Sequence, residues 1–123
     1  MKKRILVVDD EITICEIISS ILTKAGYECR LAGDGVAALA LIHSGEQYDL
    51  LVSGLMMPNM DGMELLDHVK RISPHVPFVM VTSVHDDSVR RVAFEHGANG
   101  YVLKPFRPHE VLAAVATALE KSA

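Results

Sequence analysis

The sequence predicts an α/β domain built on a parallel sheet with helices on both faces, and three observations predict it. Five short apolar runs, each bounded by turn residues, alternate with stretches whose apolar residues recur at helical spacing. Apart from "ECRLA", the short runs are mainly apolar without a polar alternation, as strands buried on both faces are. A chain of 123 residues with 50% hydrophobic composition is expected to fold as one domain, residues 1–123, around a real core.

The elements follow in order. "RILVV" (Arg4 to Val8) is the first strand, and the helix after it carries Ile12, Cys15, Ile18, Ile21, Leu22 and Ala25 at helical spacing until Gly26 ends it. "ECRLA" is the second strand, and "GVAALALIHSGE" the second helix, with Val36, Leu39, Ala40 and His43 expected on its inner side. "DLLVS" and "GMELLDHVKRI" give the third pair. The turn "SPHVP" leads to the strand "FVMVT" and to a helix capped by Asp86 or Asp87. "GYVL" and "PHEVLAAVATALEKSA" complete the alternation, with no linker or low-complexity tract between elements.

Composition removes several classes of function. A net charge of −4, with no basic cluster beyond Lys2-Lys3-Arg4, argues against nucleic-acid binding by this domain. Cys15 and Cys29 fit neither a metal spacing nor a disulfide framework and read as inert core thiols in a reducing compartment. No apolar run approaches the length of a membrane span or a signal-peptide core, so the expected location is cytoplasmic, with no membrane contact.

In an open doubly wound sheet, ligands bind at the carboxyl ends of the strands. Those ends carry Asp9, Asp10 and Glu11, then Gly54, then Thr82 and Ser83, then Lys104-Pro105. Adjacent acids are costly to bring together without a cation, and hard oxygen ligands at an open edge suit Mg²⁺ completed by water and phosphate. A hydroxyl and an ammonium stand opposite them. A nucleophile is missing: the place between the acids and the Thr/Lys pair is Gly54, in "DLLVSGLMMPNMDG".

"ILVVDDE", "DLLVSGLMMPNMDG", "MVTSV" and "GANGYVLKPF" occur in that order, and the chain resembles, end to end, the CheY-like receiver domain of bacterial response regulators. The resemblance implies the flavodoxin-like strand order 2-1-3-4-5 with five helices. It also implies a signalling module of a two-component system and not an enzyme. Asp9 and Asp10 take the place of the acidic pair that organises Mg²⁺, and Met56 that of the residue whose backbone carbonyl ligates the metal. Thr82 matches the switch hydroxyl, Tyr101 the switch aromatic and Lys104 the phosphate-pairing lysine. Gly54 falls where the family carries the aspartate that accepts a phosphoryl group from a histidine kinase or phosphotransfer protein. Glycine has no atom to attack with, and its lack of a carboxylate weakens any Mg²⁺ site.

The bland readings stand beside these. The acids after the first strand also suit a helix N-terminus, Thr82 is an ordinary strand residue, and Tyr101 serves equally as an interface aromatic. Ser53, next to Gly54, is expected to face away from the site because strand side chains alternate. Among the histidines only His85 falls near the site. The resemblance implies a cis Lys104-Pro105 bond and an output face made by the fourth helix, fifth strand and fifth helix for a partner protein; a homodimer is a separate expectation.

Two functional readings remain open in the sequence: a phosphate-independent receiver-like binding module, and an Asp-to-Gly form, engineered or variant, of an ordinary phosphorylated receiver. A cofactor enzyme on the same fold is opposed by "VVDDE", which puts acids where a phosphate loop needs amides. The chain stops soon after its last helix, so it is expected either to act alone or to have lost an output domain.

Overall fold

The computed structural model describes residues 2–122. The elements are β1 (Arg4–Val8), α1 (Ile12–Lys24), β2 (Glu28–Ala32), α2 (Gly35–His43), β3 (Leu50–Gly54), α3 (Gly62–Ile72), β4 (Phe78–Thr82), α4 (Asp87–Glu95), β5 (Gly100–Leu103) and α5 (Pro108–Ser122). All strand pairs are parallel and the order is β2-β1-β3-β4-β5, as the resemblance implied.

The apolar runs explain the layering. Alternate residues of each strand point to opposite faces, so Leu6, Val8, Leu51, Phe78 and Met80 enter one core while Ile5, Val7, Leu50, Val52, Val79 and Val81 enter another. The first is closed by Ala38 of α2, Leu65, Leu66 and Val69 of α3 and Ala93 of α4. The second is closed by Cys15, Ile18 and Leu22 of α1 and Val111, Val115 and Ala118 of α5. A central strand therefore has no polar face to show, which is why its sequence does not alternate.

Local signals set the helix ends. Asp61 and Glu64 form a reciprocal capping box at the start of α3, each side chain accepting from the other's backbone N–H at 2.8 and 3.1 Å. Asp34 caps α2 through Ala37 N–H at 2.8 Å, and Asp86 rather than Asp87 caps α4 through Ser88 N–H at 2.8 Å. Gly26, with φ of 98°, takes the left-handed position that ends α1.

Three expectations about burial and bounds need correction. Ile12 is 66% exposed: it opens α1 at the sheet's edge, ahead of the turns that reach the core, and Ala25 is exposed beyond the last. In α2 the inner face is Gly35, Ala38, Leu39, Leu41 and Ile42, whereas Val36, Ala40 and His43 are exposed. That helix is apolar nearly all round, so its sequence carries little information about phase. The third strand begins at Leu50, one residue later than read, and includes Gly54. Asp49 instead ties the strand's entrance to β1, its carboxylate accepting from Arg4 N–H at 2.7 Å.

Both thiols pack against apolar neighbours. Cys15 is buried and Cys29 half-buried. No helix among the described residues is long and apolar enough to cross a membrane.

Candidate functional site

The carboxyl ends of β1, β3, β4 and β5 bring Asp9, Gly54, Thr82 and Lys104 to one edge of the sheet. Asp9 follows β1 directly and is 2% exposed. Its Oδ1 accepts from Glu11 N–H at 2.9 Å and its Oδ2 from Lys104 Nζ at 3.1 Å. The lysine reaches it across 95 positions of sequence because its own backbone N–H is fixed to Thr82 O at 2.8 Å, beside the last residue of β4. Lys104 Nζ also lies 3.6 Å from the exposed Glu11 carboxylate. The Lys104-Pro105 bond is cis.

Gly54 ends β3 with its backbone buried. A Cβ at that position would stand 2.9 Å from Asp9 Oδ2 and 3.4 Å from Asp9 Cγ, with Met57 Cγ next at 3.8 Å. Asp9 thus leans into the place a side chain at 54 would use. Only the end of a side chain, not backbone, stands in the way.

The loop after β3 folds back tightly over this point. Gly62 N–H donates to Leu55 O at 2.6 Å, and a Cβ on Gly62 would fall 2.1 Å from Gly54 O. That requirement for glycine at 62 had no signature in the sequence beyond the residue itself. Met56 projects from the same loop and is 72% exposed, and Asn59 adopts a φ of 69°.

On the other side of Gly54, Thr82 is buried and its Oγ1 accepts from Val84 N–H at 3.1 Å. Tyr101 donates its hydroxyl to Val84 O at 2.9 Å. The two side chains therefore hold opposite ends of one residue in the loop before α4. Burial, then the Asp86 carboxylate, raises the Tyr101 phenol, with Arg90 opposing. The part played by Val84 is invisible in sequence because its backbone, not its side chain, makes both bonds.

Ser53 is fully buried and its hydroxyl donates to Gly54 O at 2.9 Å, so it is committed to the backbone. Cys15 lies beneath Asp9, Sγ to Asp9 O 3.4 Å, and burial first, then the Asp9 charge, pushes its thiol up to about 11. Asp10 is exposed, as is His85.

The donor set fits Mg²⁺ poorly. Position 54 offers no carboxylate, Asp9 has both oxygens engaged, and no group of three or more His, Cys, Asp or Glu residues converges as a metal site among the described residues.

Comparison with known proteins agrees with this geometry. The sequence profile of the response regulator receiver domain matches residues 5–116. The chain belongs to the response regulator receiver domain family. This receiver domain is 35% identical over 122 residues to the DNA-binding response regulator MtrA of Mycobacterium tuberculosis, covering 99% of the chain and 53% of that protein. The Mycolicibacterium smegmatis MtrA is 36% identical over 122 residues, with the same shares covered. The chain spans about half the length of the curated relatives it matches.

Solved receivers share the fold. A CheY-like receiver domain protein from Methanospirillum hungatei superimposes with a TM-score of 0.92 at 30% identity, covering 99% of this chain and 97% of that one. Chemotaxis protein CheY4 of Vibrio cholerae gives 0.89 at 32% identity, covering 96% and 99%. The chain is thus the receiver domain of a two-component response regulator, and receivers of this family commonly bind Mg²⁺ and work with histidine kinases and output domains.

Proposed function

We propose that this chain, residues 1–123, is a single receiver domain that passes on a signal without forming an aspartyl phosphate at position 54. In this reading Asp9 and Asp10 are what remains of the metal pair, with the Met56 carbonyl beside them, Thr82 and Tyr101 are the switch residues, and Lys104 is the cation meant for phosphate. Gly54 supplies no nucleophile, and the domain is not an enzyme.

The observation that carries the reading is the position of Asp9. Its Oδ2 lies 2.9 Å from where a Cβ of residue 54 would be and is held there by Lys104 at 3.1 Å. Lys104 therefore compensates a buried carboxylate that a divalent cation would otherwise compensate, and Mg²⁺ must displace it to bind. A regulator without a ligand that discriminates its states does not switch. Its output then depends on a protein partner meeting the face of α4, β5 and α5, either an effector or a second copy in a homodimer.

A second reading, an Asp-to-Gly form of an ordinary phosphorylated receiver, is favoured by one feature. Lys104, Thr82 and Asp9 share the sheet edge with Gly54, and the close contact a Cβ there would make is with the end of a side chain, Asp9 Oδ2, and not with backbone. Upstream, a histidine kinase or phosphotransfer protein would then be the partner, in the cytoplasm, with no nucleic acid bound by this domain.

Intact mass after incubation with Mg²⁺ and acetyl phosphate decides between them, with Gly54→Asp run in parallel. The first reading expects no phosphoryl group on this chain and none on Gly54→Asp. One phosphoryl group on Gly54→Asp alone supports the second reading, and a phosphoryl group on the unaltered chain overturns both.

A further inference from the structure

A cavity lies at the amino edge of the sheet, opposite the carboxylates. It has a volume of about 760 Å³ and opens to solvent between the start of β1, the α2–β3 connection, the end of α3, the entrance to β4 and the end of α5. Its floor is apolar, with Ile42, Leu51, Val69, Ile72 and Val76 among the lining residues. Ile72 is 42% exposed there, although it belongs to an otherwise well-packed helix. Volume and lining fall in the range of small-molecule sites.

The charges at the rim divide into committed and free. Asp49 accepts from Arg4 N–H at 2.7 Å. Glu46 accepts from the Tyr48 hydroxyl and lies 3.9 Å from the Arg4 guanidinium, which also stacks over the Tyr48 ring at 5.1 Å and faces Glu28 at 3.7 Å. Burial first, then Glu46, pushes the Tyr48 phenol up to about 12, so it stays neutral and remains a donor to Glu46. Every acid on the rim therefore has an internal partner. The ammonium groups of Lys2 and Lys3 and the imidazole of His75 have none among the described residues.

An apolar floor beneath the unpaired Lys2 and Lys3 ammonium groups, with the His75 ring as a further hydrogen-bonding group, selects a ligand with an apolar body and a negative head. We propose that this cavity binds an anionic amphiphile: an aliphatic chain carrying one carboxylate or phosphate group. The chain packs on the exposed Ile72 and the half-buried Ile42, with Val69 and Val76 beneath them, and the head meets Lys2, Lys3 and His75. A neutral amphiphile of the same length gains the floor but not the rim. The site lies at the far end of the strands from Gly54, so its occupancy is independent of the chemistry there.

Methyl-labelled protein titrated with decanoate, decyl phosphate and decanol, each below its aggregation concentration, tests this by NMR. Saturable shifts confined to the methyls of Ile42, Val69, Ile72 and Val76 are expected with both anions, and the tighter of the two assigns the head as carboxylate or phosphate. Decanol should bind about tenfold or more weakly, and Lys3→Glu combined with His75→Glu should weaken the anions by about the same factor. Ile72→Asp, at an exposed position, should abolish binding while the far-edge resonances stay in place. Gly54→Asp should change nothing. Absence of saturable shifts, shifts spread over the surface, decanol binding as tightly as decanoate, or full affinity in the charge-reversed variant would each overturn the proposal.

Discussion

Asp9 and Lys104, 95 residues apart, form an ion pair with an N–O distance of 3.1 Å directly beside the empty side-chain position of Gly54. Asp9 is 2% exposed and Lys104 19%, so water screens the pair only on the lysine side. The pair is the electrostatic centre of the site and organises what a carboxylate at position 54 would do to it.

Removing the lysine leaves Asp9 buried without its cation. Lys104→Met should destabilise the domain by about 2 kcal/mol, less than the loss for a fully enclosed pair because Lys104 retains some access to water. Urea denaturation measures it. The same variant should bind Mg²⁺ more tightly than the parent in a calorimetric titration, because Asp9 Oδ2 is released to the metal. Unchanged Mg²⁺ affinity would show that Lys104 does not compete for that carboxylate.

The backbone of Gly54 and the side chain beside it set up a contrast with Gly62. A methyl at 54 comes too close only to the end of a side chain, Asp9 Oδ2 at 2.9 Å, whereas a methyl at 62 meets backbone, Gly54 O at 2.1 Å and Leu55 Cα at 2.9 Å. Gly54→Ala should therefore fold with a loss of about 1 kcal/mol, and Gly62→Ala should lose several times more or fail to fold, since backbone must move. Comparable urea midpoints for the two would contradict the rigidity assigned to the loop after β3.

How far these relationships were legible in sequence depends on the range of the physics. The strands were readable because burial on both faces writes an uninterrupted apolar run, as in "FVMVT". The helix caps were readable because Asp61 and Glu64 act within one turn. The inner face of α2 was not, since Val36 and Ala38 are equally apolar and only the position of the sheet distinguishes them. At the site, the residue types at the strand ends were legible and their bonds were not: nothing local links Lys104 to Asp9, or Thr82 and Tyr101 to the two ends of Val84.

Alkaline pH should destabilise the fold through Cys15. Its thiol is raised from 9.0 to about 11 in the folded state by burial and by the Asp9 charge. Between those values the unfolded chain has released the proton while the folded one retains it, so stability is fully present below pH 9 and falls as pH rises to 11. The loss is on the order of 2–3 kcal/mol at the upper end. Cys15→Ala, although less stable at neutral pH from its cavity, should show a correspondingly flatter profile in urea melts across this window. In the native protein at pH 8 the thiol should also resist alkylation until the chain unfolds.

The helix α4 offers the last prediction, because it is the least embedded of the five. Ala93 is its one buried residue, Val92 and Phe94 are 39% and 40% exposed, and Arg90 covers the Phe94 ring at 5.3 Å. At its carboxyl end His96 Nδ1 meets Asp67 Oδ1 of α3 at 2.8 Å, and the adjoining Gly97 rests on the stem of Lys70. Lys70 in turn donates to Val76 O at 2.9 Å and to Asn99 Oδ1 at 3.3 Å, burial lowering its ammonium pKa. The His96–Asp67 contact is nearly half exposed and should add under about 1 kcal/mol to global stability. Its effect should be local. His96→Ala should leave the urea midpoint almost unchanged and yet raise amide hydrogen exchange along Arg90 to Glu95 several-fold relative to α3, since the pin at that end is lost and little apolar packing remains to hold the helix down. If α4 exchanges no faster than in the parent, then Ala93 and the Asn99–Lys70 network alone secure it.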